Sequence, residues 1–78
     1  MTTLKTKTVT GTHSLTGEAL AYTVAAVHNP DSDLTDGGCW MVTLNGKPIR
    51  WYGMERPAVR CVERARVGAY GISFGEAF

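Results

Sequence analysis

The chain has 78 residues, 44% of them apolar and 19% charged, and its eight basic and seven acidic side chains leave a formal net charge of +1. A chain this short makes one domain, residues 1–78, that buries only about 60% of the surface exposed on unfolding. The balanced charge excludes a global polyanion-binding surface and an acidic surface that mimics DNA. No run approaches the roughly 18 apolar residues of a membrane span. Met1–Lys5 lacks the apolar core of a secretory signal, so the expected location is the cytoplasm, without a membrane.

Thr6–Ser14 is Thr-rich and β-prone, and its Lys5/Lys7 alternation suits an edge strand that discourages pairing with other chains. His13 is expected within that strand. Leu15–Glu18 supplies turn chemistry, and Ala19–Val27 reads as a second strand with Leu20, Tyr22 and Val24 on the better-buried face. Asn29–Gly38 is a loop by composition, with Asp31, Asp33 and Asp36 giving it negative charge that can meet a basic partner. It is not a calcium loop. Counted from Asp31, the positions that need Gly and Glu hold Asp36 and Val42.

The stretch Cys39–Tyr52 specifies a hairpin. Asn45-Gly46 is the preferred pair for a two-residue type I′ turn, which sets Leu44 opposite Lys47 and Thr43 opposite Pro48. Counting outward in regular register pairs Val42 with Ile49, Met41 with Arg50 and Trp40 with Trp51. Trp40, Val42, Ile49 and Trp51 then form a core face, while Cys39, Met41, Thr43, Arg50 and Tyr52 lie on the other. Each indole brings about 150–250 Å² that burial would remove from water.

Pro57 is well placed as a first helical residue. Ala58, Cys61, Val62, Ala65 and Ala69 share one face, with Gly68 or Gly71 as terminator, and Tyr70–Phe74 alternates as a short final strand. The expected fold class is α+β: a small antiparallel sheet of four to five strands in the order β-β-β-β-α-β, with one C-terminal helix packed on one face. Arg56, Arg60 and Arg64 recur on the outer side of that helix. Like charges four apart destabilise a helix by roughly 0.2–0.5 kcal/mol per pair, a cost that Glu63 can offset by pairing with Arg60 or Arg66. Guanidinium forks bind phosphate or carboxylate bidentately, which makes the row a candidate contact surface.

Catalytic chemistry has little to stand on. His13 and His28 read as exposed polar residues, and Cys61 points to the core, the wrong place for a nucleophile. Cys39 and Cys61 lack the spacing of a zinc or redox motif and read as free thiols. No phosphate loop, paired carboxylates or Ser/His/Asp set can be assembled. The expectation is a protein that is not an enzyme and needs no cofactor or metal, either a monomer or a homodimer through an edge strand.

In size, architecture and lack of a catalytic set the chain resembles small phage-encoded inhibitors, in particular anti-CRISPR proteins, although its charge sets it apart from the strongly acidic DNA mimics among them. The resemblance covers the chain in outline and carries no motif. It implies blockade of a Cas subunit or surveillance complex inside a bacterial host, with Asp31, Asp33 and Asp36 meeting basic residues of the target and the hairpin or helix supplying anchors. The alternative is a small DNA-binding domain similar to the arm-binding domains of phage integrases. Thr43, Arg50 and Tyr52 would then read the major groove, and Arg60 and Arg64 would hold phosphates.

Overall fold

Alternating Thr/Lys and Ala/Val patterns place a long hairpin at the start of the chain, and the structure, a computed structural model, describes residues 2–30, 38–69 and 71–75. The elements are β1 (Thr2–Thr12), β2 (Ala19–His28), β3 (Trp40–Leu44), β4 (Lys47–Tyr52), α1 (Glu55–Arg64), β5 (Arg66–Val67) and β6 (Ile72–Ser73). Strands β1-β2-β3-β4 form an antiparallel sheet in that order, and β5 and β6 make a separate two-stranded ribbon. This is the expected α+β architecture, with β1 on the edge. The acidic positions Asp31, Asp33 and Asp36 lie outside the described residues.

His13 falls just past the end of β1 and organises the first turn, correcting its assignment to the strand. Its Nδ1 accepts from the backbone N–H groups of Leu15 and Thr16 at 3.2 and 3.3 Å, and its carbonyl accepts from Gly17 N–H at 2.9 Å.

The helix packs on one face of the sheet. Ala58, Cys61, Val62 and Ala65 meet Val24, Ala26 and Val42, with Trp40, Leu44, Ile49 and Tyr52 around them. Val24, Val42 and Val62 are wholly buried, each contributing about 1.5–3 kcal/mol relative to exposure. Small residues on the helix let it lie close to the sheet. Lys7, on the same sheet face, reaches across and donates from Nζ to the Glu63 carbonyl at 2.8 Å, satisfying an acceptor in the last turn where cations are favoured.

The helix differs from expectation at both ends. It starts at Glu55, so Pro57 is its third residue, still within the first turn where N–H groups have no intrahelical partner. It stops at Arg64, with Ala65 extended at φ −61° and ψ 134°, instead of running on to Gly68 or Gly71. Ala69 is consequently not on the helix, and the final strand contracts to Ile72–Ser73, which pairs with Arg66–Val67. The early stop lets Val67 settle against Gly11 of β1, where even a Cβ would come within 2.6 Å of Val67 Cγ1.

The β3–β4 hairpin holds the largest correction. Asn45 (φ 51°) and Gly46 (φ 84°) form the left-handed turn, and Leu44–Lys47 and Thr43–Pro48 pair as expected. Asn45 also ties the turn to β2: its N–H donates to the Thr23 carbonyl at 2.8 Å and its Oδ1 accepts from Thr23 N–H at 2.9 Å. Beyond Pro48 the register slips by one. Val42 faces Arg50, Met41 faces Trp51 and Trp40 faces Tyr52, leaving Ile49 as the extra residue of a β-bulge. The expected pairs Val42–Ile49, Met41–Arg50 and Trp40–Trp51 do not form.

The slip exchanges side chains between faces. Arg50 and Tyr52 turn toward the helix, and Trp51 moves to the opposite face, where it is 38% exposed across from a buried Met41. The two indoles therefore lie on opposite faces. β4 is an edge strand, so the bulge interrupts a single ladder, and Pro48 has no N–H to lose from it. Trp40 stays on the helix side, its ring tilted against that of His28 with centroids 4.9 Å apart. His28 is accordingly half-buried and not the exposed residue expected.

Candidate functional site

The bulge brings the hairpin and the helix together around a groove of about 380 Å³. One wall is the exposed side of α1, carrying Arg56, Arg60 and Arg64 at successive turns, with Pro57 and Cys61 between them. The other is formed by Arg50 and Tyr52 of β4 and by Phe74 beyond β6, with Met54 at the helix N-cap. Five of the residues marked in the sequence as contacts, Arg50, Tyr52, Arg56, Arg60 and Arg64, thus line one cavity. The set expected to read DNA does not survive: Thr43 faces away from Arg50 and Tyr52, on the other side of the sheet.

Among the described residues, four guanidinium groups line the groove and no lining residue carries a carboxylate. Among the described residues Glu63 makes no ion pair with Arg60 or Arg66, so the expected compensation is absent. Arg56, Arg60 and Arg64 are all exposed, whereas Arg50 is half-buried, its guanidinium carbon 4.8 Å from the centre of the Phe74 ring. That cation–π contact fixes one charge at the base of the groove.

Tyr52 is the hinge between the polar and apolar parts. Burial pushes the pKa of its hydroxyl above the ordinary 10.0, with the neighbouring Arg50 side chain partly opposing the rise and Cys61 adding to it. A phenol whose folded pKa exceeds its unfolded one contributes stability that is complete below the unfolded value and is lost as pH rises through the folded value. Tyr52→Phe is therefore expected to remove a tyrosinate transition above pH 10 from the ultraviolet titration and to flatten the alkaline fall in stability. If the transition lost were one at the ordinary tyrosine pH, with no high-pH step removed, Tyr52 would not be buried as described.

Sequence reasoning missed Met54, Pro57, Cys61 and Phe74 as lining residues. Met54 carried no signal beyond its place before Pro57, yet it is 66% exposed at the groove's lip. Phe74 was visible only as one apolar member of an alternating segment. Cys39 and Cys61 are not joined in a disulfide; Cys61 is buried and Cys39 half-buried. Among the described residues no group of three His, Cys, Asp or Glu side chains is placed to hold a metal ion, and no helix is long and apolar enough to cross a membrane. No protein-family model, curated protein or solved structure matches the chain.

Proposed function

We propose that this chain is a non-catalytic binding protein that occupies an anionic patch on a partner protein through its arginine groove, and that it serves as a phage- or mobile-element-encoded inhibitor of a Cas subunit or surveillance complex. The observation that carries the reading is the convergence of Arg56, Arg60 and Arg64 along the exposed wall of one cavity, with no carboxylate among its described lining residues. Three like charges in one row repel each other in the free protein. An anionic partner relieves that repulsion and gains charge-assisted hydrogen bonds from planar donors. The apolar side chains of Met54, Pro57 and Phe74 beside those charges supply the dewetted contact that turns ion pairing into a stable interface.

Expression of the chain in bacterial strains carrying different types of active CRISPR–Cas immunity, challenged with a targeted phage, tests this reading. Phage plating is expected to recover in at least one strain and to be lost again when Arg60→Glu and Arg64→Glu are combined. Immunity that stays intact in every strain would refute the inhibitor role. Tight binding to generic duplex DNA at low salt, with log K falling by about 0.9 per phosphate contact for each unit of log salt, would put a nucleic-acid function in its place.

A further inference from the structure

The arginine row is spaced for a particular kind of ligand. Residues four apart on a helix advance about 6 Å along its axis. In an extended chain, side chains on one face repeat every two residues, about 6.6–6.8 Å. Three carboxylates on alternate residues of an extended peptide therefore stay within reach of Arg56, Arg60 and Arg64 over the whole row, since flexible arginine stems absorb the small mismatch.

The opposite wall suits the alternation. Tyr52, Phe74 and Met54 offer aromatic and apolar surface to side chains that point away from the arginines. A nucleic-acid strand fits less well: among the described residues the lining holds no Asn, Gln, Ser or Thr to read bases, the row ends after two helical turns, and the chain as a whole carries only +1. Resting on the binding role proposed above, we infer that the groove seats an extended acidic segment of a partner protein, with carboxylates at every second residue facing the Arg56/Arg60/Arg64 row and the intervening apolar side chains set against Tyr52, Phe74 and Met54.

Fluorescence anisotropy of labelled pentapeptides with the full chain tests the inference. The probes are a capped Asp-Leu-Asp-Leu-Asp, its Asn-Leu-Asn-Leu-Asn counterpart and a short oligothymidylate. The acidic peptide is expected to bind at least tenfold tighter than either of the others. Arg60→Gln should weaken it about tenfold or more, while Arg66→Gln, on β5 outside the groove, should leave it unchanged. Equal binding of the acidic and amide peptides, tighter binding of the oligonucleotide, or indifference to Arg60→Gln would overturn the inference. Relief of CRISPR immunity without peptide binding would remove this ligand assignment and leave the inhibitor role standing. Peptide binding without relief of immunity would support the ligand assignment and remove the inhibitor role.

Discussion

Replacing Gly38 with alanine is expected to destabilise the fold by about 3 kcal/mol or more, at the upper end of what overpacking costs. Gly38 is buried where the chain enters β3, and a Cβ there would stand 2.1 Å from the Tyr52 carbonyl oxygen and 2.9 Å from the Gly53 nitrogen. These neighbours are backbone, which cannot rotate away. The end of β4 must move, and Tyr52 with it. For a domain of this length, total stability is on the order of 4–12 kcal/mol at about 0.05–0.15 kcal/mol per residue, so one methyl group would consume a large share. Gly53→Ala is the matched control, because nothing lies within 4 Å of its Cβ position. Urea unfolding should show a large drop in midpoint for the first variant and a shift within about 0.5 kcal/mol for the second. Equal midpoints would mean that the chain at Gly38 does not pass beside Tyr52.

Combined reversal of Arg60→Glu and Arg64→Glu is expected to leave the fold intact and to abolish partner binding. Both side chains are exposed. Arg64→Glu puts an anion in place of a cation in the last helical turn, at about 0.3–1 kcal/mol or more, and positions 60 and 64 remain a like-charge pair, while the 56/60 pair turns attractive and returns about 0.2–0.5 kcal/mol. The net cost, on the order of 1 kcal/mol, leaves the fold standing. At the interface the loss is larger: two attractions become two repulsions beside a partly apolar cavity, where truncating one member of a buried charge pair already costs about 2–5 kcal/mol. A loss of at least a hundredfold in affinity, about 2.7 kcal/mol, is the expected result, together with a weaker dependence on salt. Affinity and salt dependence that survive the double reversal would show that the partner contacts another surface.

Much of the architecture was legible in local chemistry. Asn45-Gly46 dictated the turn, the small residues Ala58, Cys61, Val62 and Ala65 announced the buried helix face, and Lys5 and Lys7 marked β1 as an edge. The site was legible only in its helical half, because Arg56, Arg60 and Arg64 share a row by periodicity alone. Their meeting with Arg50 and Tyr52 was hidden by a one-residue slip, and a slip of one reverses the face of every side chain beyond it. The sequence held a sign of it. Pro48, two residues past the turn, is tolerated in sheets at edges and bulges, and here it precedes the bulged residue. Counting from the turn assumed regular pairing, and hydrophobicity favoured the wrong choice by pulling both Trp40 and Trp51 to the core. The helix end was misjudged for a tertiary reason: Val67 packs on Gly11, a contact between residues far apart in the chain that no helix propensity reports.

The groove exists because Ile49 is accommodated as an extra residue, turning Arg50 and Tyr52 toward the arginine row. Cross-strand proton contacts in the β3–β4 hairpin, measured by nuclear Overhauser spectroscopy, probe that arrangement at its origin. We expect Met41 opposite Trp51, Val42 opposite Arg50, and the Tyr52 ring close to Cys61. Contacts between Trp40 and Trp51 and between Val42 and Ile49 would instead establish the regular ladder, turn Arg50 and Tyr52 away from the helix and leave no groove.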